Sequence, residues 1–182
     1  WLFVRDWSSD DEGKCVLYRG DGEPSSYKVA APSVWFYPRE NKLMVRVSTL
    51  PQETTSNYDP ATYFKYDRTG DGYTDVNPNH YSNNTKDTIW NSSYSCDIEN
   101  IPLQRWVQVS ITMWNRTLDV YMNGKLARSC VLPGVPVHDP NVLNTLYVGR
   151  GGTDQNTFNG YISRFKYYNR AITAIAVMSL YN

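Results

Sequence analysis

The chain has 182 residues, and its 18 Lys and Arg balance 18 Asp and Glu to a formal net charge of zero at pH 7. The basic residues are scattered along the sequence, which argues against nucleic acid, because phosphate binding needs a clustered positive surface. No run of about 18 apolar residues is present to cross a membrane as a helix, and the length fits one domain, residues 1–182, with a sizeable core.

Aromatic residues make up 14% of the chain, and Tyr alone counts 15. Tyr and Trp in excess suit half-buried sheet faces, and they also suit sugar-binding or protein-binding surfaces. In residues 1–7, large side chains alternate with Leu2, Val4 and Asp6, which predicts a strand. A chain that opens on a strand reads as a piece of a longer protein, so the lack of a leader carries no weight. A polar turn follows at 8–13, then a short strand over 15–19 closed by Gly20-Asp21-Gly22. Two further strands are predicted at 34–37 and 43–47, around a five-residue hairpin loop, 38–42.

Residues 51–95 differ from the rest. Tyr, Asn and Asp crowd this stretch and aliphatic residues are scarce. Short strands are expected around 63–66 and 88–90, with long loops between them. Such an excursion exceeds what a connection needs. It reads either as an insertion packed by its own tyrosines or as binding loops carried on a rigid scaffold.

Residues 104–132 predict a three-stranded meander. Val107, Val109 and Ile111 alternate with Trp106, Gln108, Ser110 and Thr112, and Leu118, Val120 and Met122 alternate with Asp119 and Tyr121. Asn123-Gly124 supplies the two positive-φ residues of a type I′ hairpin turn. One face of a meander must be covered, and a second sheet is the expected cover. Residues 133–136 form a turn-rich bridge, and a strand is expected at 145–148. The glycine loop at 149–154 is not a phosphate cradle, since no Lys-Ser/Thr follows and no helix opens after it. The last long strand is expected over 161–168, with a β-bulge between Ile162 and Phe165. Thr173 is a fair N-cap for a short helix over 174–180 with Val177 and Leu180 on one face.

Trp106, then 119–125, Leu146-Tyr147-Val148-Gly149, Phe158-Asn159-Gly160-Tyr161-Ile162 and Tyr168-Asn169-Arg170-Ala171-Ile172-Thr173 occur in an order that resembles the laminin-G-like branch of the concanavalin A-like lectin/glucanase superfamily. Ile172 stands where that family usually has Leu. The resemblance covers residues 104–181 and, more loosely, 1–50. It implies an all-β fold: a two-sheet antiparallel jelly-roll β-sandwich with one short C-terminal helix. The segment around Cys96 and Cys130 also resembles jelly-roll domains in virion proteins of large DNA viruses, which implies a particle-surface or extracellular setting.

Cys15, Cys96 and Cys130 are three, so they cannot all pair internally. Cys96 precedes the meander and Cys130 ends it, so the two could meet on neighbouring strands as a disulfide. Three buried thiols in a reducing compartment are the open alternative. No Cys or His pair has the short spacing of a zinc site.

The fold hosts glucanases, but a retaining site needs paired carboxylates. The chain offers only Asp97-Ile98-Glu99, without the third acid of the Glu-x-Asp-x-x-Glu pattern. Tyr63-Phe64-Lys65-Tyr66 brushes against a lyase strand whose partner strands are missing. His80 and His138 read as solvated surface residues, and Cys15 has no visible activating partner. No catalytic residue is therefore expected. Asp67, Thr69, Asp71 and Asp75, with Gly72, match the start of a calcium loop. Thr69 replaces the usual Asp or Asn and Pro78 the closing Glu, so a plain Asx-type turn stays open.

A carbohydrate-binding module is the leading expectation, with Tyr73, Trp90 and Tyr94 as stacking surfaces and Asp71, Asp75 and Asn91 as polar partners. A structural or adhesion domain contacting protein is the other reading. Asn83, Asn91 and Asn115 open glycosylation motifs that operate if the chain passes through a secretory route.

Overall fold

The computed structural model describes residues 1–7, 13–20, 30–37, 39–49, 93–132, 134–138, 143, 145–149 and 157–182. In chain order the elements are β1 (Leu2–Asp6), β2 (Lys14–Gly20), β3 (Ala30–Phe36), β4 (Lys42–Ser48), β5 (Ser93–Glu99), β6 (Trp106–Val107), β7 (Val109–Trp114), β8 (Thr117–Met122), β9 (Lys125–Val131), β10 (Thr145–Val148), β11 (Asn159–Ile162) and α1 (Ala174–Tyr181).

One layer is a five-stranded sheet in the order β10-β2-β3-β4-β5; the other holds two three-stranded sheets, β11-β1-β6 and β7-β8-β9. Only Gln108 separates β6 from β7, so the two smaller sheets follow one another along the chain. Val107 is buried, and Val109, Ile111 and Met113 pack against the core, as the period-2 pattern predicts. Leu2 and Val4 of β1, Leu118 and Val120 of β8, and Val34, Val45, Val47 and Ile98 of the five-stranded sheet meet in one buried cluster. The result is a jelly-roll β-sandwich, in which the apolar inner faces of the two layers close over one another.

The meander forms as its sequence predicts. Asn123 and Gly124 take φ of 51° and 75°, the left-handed pair of a type I′ turn. Cys96 and Cys130 are disulfide-bonded, with Cα atoms 6.0 Å apart. Cys96 belongs to β5 and Cys130 to β9, each at an edge of its sheet, so the bond ties the two layers along one side. Thr173 caps α1, its Oγ1 accepting from the Ala176 N–H at 3.3 Å, and Val177 is buried.

Three expectations need correction. The strand expected over 161–168 stops at Ile162, because Arg164 takes a left-handed φ of 51° and turns the chain off the sheet, so no bulge is needed. The excursion expected to reach residue 95 ends earlier, since Ser93 already pairs with Ser48 in β5. That strand escaped notice because only Cys96 and Ile98 mark its inward face. The β3–β4 hairpin closes one residue earlier than expected: β3 ends at Phe36, β4 begins at Lys42, and the Tyr37 N–H donates to the Lys42 carbonyl at 2.9 Å. The short strands expected around 63–66 and 88–90 lie outside the described residues.

Candidate binding surface

Side chains alternate along β1, so Leu2 and Val4 enter the core while Phe3 and Arg5 stand on the outer face. Phe3 lies opposite Tyr161 of β11 on one side and Trp106 of β6 on the other. Three aromatic rings therefore form one row across three strands. The Phe3 and Trp106 centroids are 5.5 Å apart and the Phe3 and Tyr161 centroids 6.0 Å, with planes tilted by 58° and 45°. Tilted rings bring a positive edge against a negative face, the favoured arrangement for aromatic pairs. Trp106 is 45% exposed and Tyr161 50%. Each ring is thus held by the sheet on one side and open to solvent on the other.

Arg5 finishes the row. Its guanidinium lies over the Tyr161 ring, 4.9 Å from the centroid, and donates a hydrogen bond to Tyr161 Oη. Two positions before Phe3, Trp1 stacks on Tyr181 of α1, with centroids 5.8 Å apart and 25° between planes. The Trp1 carbonyl accepts from the Ser163 N–H at 2.9 Å and the Trp1 nitrogen donates to the Ser163 carbonyl at 2.7 Å, which extends the β1–β11 ladder by one residue pair. Exposed Arg164 comes next. Five aromatic rings are thus set along β1, with Arg5 near one end and Arg164 near the other.

Two local devices hold the row. Gln104 takes a φ of 55° and its N–H donates to the Val4 carbonyl at 2.7 Å, which steers the chain into β6 and sets Trp106 beside Phe3. Gly160 pairs with Val4, and a Cβ there would fall 2.0 Å from the Phe3 carbonyl oxygen and 2.6 Å from the Phe158 ring. Only glycine lets β11 approach β1 this closely.

The outer face of the five-stranded sheet is different in kind. Cys15, Tyr18, Trp35, Tyr37 and Met44 form a second buried cluster there. Asp97 accepts from Tyr37 Oη at 2.6 Å and pairs with Lys42 Nζ at 3.6 Å, and Lys42 Nζ lies 4.7 Å from the Tyr37 ring centroid. The carboxylate is committed to these two neighbours, while Glu99 is exposed at the end of β5. Burial pushes the Cys15 thiol from its usual 9.0 up to about 12, so it stays protonated at neutral pH and is a poor nucleophile. His138 is exposed.

Of the residues singled out in the sequence, Tyr94 lies in β5, its backbone opposite Val47. Asn115 is exposed at the β7–β8 turn with a φ of 55°. Tyr73, Trp90, Asn91, Asn83 and the calcium-loop residues Asp67, Thr69, Asp71 and Asp75 lie outside the described residues, as does His80. Sequence reasoning passed over Phe3, Arg5, Trp106 and Tyr161. The signal was present: Trp106 shares its parity with Gln108, Ser110 and Thr112, which marks it as facing away from the core.

The family model described as the concanavalin A-like lectin/glucanases superfamily, laminin-G type, matches residues 30–178. The chain belongs to that superfamily. No curated protein matches the sequence. Among solved structures, the binding domain of botulinum neurotoxin serotype G is similar over 99% of this chain and 34% of its own length, with a TM-score of 0.53 and 14% identity. An S-layer domain-containing protein, residues 221–444, from Clostridium thermocellum ATCC 27405 is similar over 98% of this chain and 68% of its own, with a TM-score of 0.40 and 13% identity. The likeness to the neurotoxin domain is one of fold, and this chain spans about a third of that domain's length.

Proposed function

We propose that this chain is a non-catalytic binding module that recognises carbohydrate on the outer face of the β11-β1-β6 sheet. The observation that carries the reading is the row of Trp106, Phe3 and Tyr161 with Arg5 at its edge. Pyranose rings present apolar C–H faces that stack on half-open aromatic rings, and their hydroxyls bond planar groups such as a guanidinium. The ion-paired Asp97 and the buried Cys15 thiol support the same non-catalytic reading. The similar neurotoxin structure is itself a binding domain, which accords with this use of the fold.

The sequence adds a second proposed contact set, Tyr73, Trp90, Asn91 and Tyr94, and a proposed calcium site at Asp67, Thr69, Asp71 and Asp75. Bound calcium would raise the melting temperature by mass action, and a chelator would lower it again. Identical melting curves with calcium and with chelator remove the ion from the account. The disulfide fits an oxidising compartment, and we place the module in an extracellular or virion-surface setting. There Asn83, Asn91 and Asn115 are open to glycosylation if the route is secretory.

A second reading, a structural or adhesion domain that binds protein, draws on Trp114 and Val131. They stand on either side of Thr117 on the outer face of β7-β8-β9, 76% and 69% exposed. An apolar pair of this kind suits the centre of a protein interface. Glycan-array binding by the wild-type chain, lost in Trp106→Ala and Tyr161→Ala, supports carbohydrate. A blank array together with a stoichiometric protein partner whose binding needs Trp114 supports the second reading.

A further inference from the structure

Scattered in the sequence, the charges are sorted by the fold. Residues 1–7, 101–132 and 157–182 supply β1, β6, β7, β8, β9, β11 and α1; they carry eight Lys or Arg and two acids, Asp6 and Asp119. Residues 157–182 contain no Asp or Glu at all. The remainder of the neutral chain therefore carries ten basic and sixteen acidic residues. One layer of the sandwich is basic, and it is the layer that bears the aromatic row.

Three cations lie on the row or next to it in the chain. Arg5 lies against Tyr161. Arg105, exposed, directly precedes Trp106, and exposed Arg164 follows the residue paired with Trp1. We infer that this surface takes an anionic glycan, one bearing carboxylate or sulfate groups, with Arg5, Arg105 and Arg164 meeting the anions and the rings stacking on the sugars. The inference rests on the carbohydrate reading above and narrows its ligand class.

Nucleic acids and anionic bilayers carry negative charge as well. The three rings of the row stand on strands rather than on a raised loop, so they cannot reach the roughly 5–10 Å into a bilayer that interfacial anchoring needs. Trp106 and Tyr161 are only about half open to solvent. The open part suits the small C–H face of a pyranose better than the broad face of a nucleobase, which stacks on a free aromatic plane.

Titration of the wild-type chain with a heparin oligosaccharide, a polyuronate, a neutral glucan of equal length, single-stranded DNA and phosphatidylserine vesicles tests this. The anionic glycans should bind more tightly than every other probe, with affinity falling as salt rises. Arg105→Gln and Arg164→Gln should each weaken heparin binding by about tenfold, the worth of one charged hydrogen bond. Arg39→Gln, on the β3–β4 hairpin of the other layer, removes the same charge and should leave binding unchanged. Equal affinity for neutral and anionic glycans overturns this inference and leaves the carbohydrate reading standing. Tighter binding to DNA or vesicles, or an equal loss in Arg39→Gln, also overturns it. Failure to bind any glycan sinks both.

Discussion

Gly160 shows how much can hang on a single methyl group. A Cβ there would meet the Phe3 carbonyl oxygen at 2.0 Å, and backbone cannot swing aside as a side chain can. Gly160→Ala should therefore cost about 3 kcal/mol, at the upper end for overpacking, and should abolish ligand binding by parting β11 from β1. Urea denaturation with a binding assay checks both; a stable variant that still binds contradicts the role given to this pairing. Cys15 makes a different prediction. Its folded pKa, about 12, lies above the usual 9.0, so above pH 9 the unfolded chain releases a proton that the folded chain keeps. Stability from this group is present below pH 9 and is lost as pH rises toward 12, by about 1.4 kcal/mol per pH unit. Cys15→Ala should melt with a shallower fall between pH 9 and 11 than the wild type, and parallel curves would contradict the burial argument.

Among the elements, those marked by period-2 alternation, a turn signal or a cap were readable: the meander strands, β1, and the Thr173-capped helix. β5 was not, because it carries polar residues at most positions and gains its place from pairing with β4 and from the disulfide. The end of β11 was misjudged for the opposite reason. Tyr161 to Tyr168 has strand-like composition, yet Arg164 takes a left-handed φ that composition does not announce. The disulfide closes a loop of sequence separation 34 between the edge strands β5 and β9. In the chain-entropy account a loop of that size contributes about 4 kcal/mol. Replacing both Cys96 and Cys130 by Ala should lower unfolding free energy by about that amount, measured by chemical denaturation. A change under about 1 kcal/mol would mean that the two layers hold their edge without the bond.

For the molecule as a whole, the sandwich was legible because two periodicities and one ordered set of short motifs agree on it. The candidate surface was not, since it is made by register. Phe3, Trp106 and Tyr161 lie far apart in sequence and become neighbours only when β1 takes its place between β11 and β6. The charge sorting was hidden for the same reason, as sequence order interleaves residues of the two layers. The conspicuous composition lies elsewhere, in the tyrosine-rich stretch from 51 onward. The central claim is that half-open rings on the β11-β1-β6 face grip a sugar. Calorimetric titration of an array-identified glycan into wild-type and Trp106→Ala protein, with melting curves for both, tests it most directly. The account predicts a loss of at least about tenfold in affinity, as for an aromatic anchor at an interface centre, with folding intact. Undiminished affinity in a folded Trp106→Ala protein would contradict it.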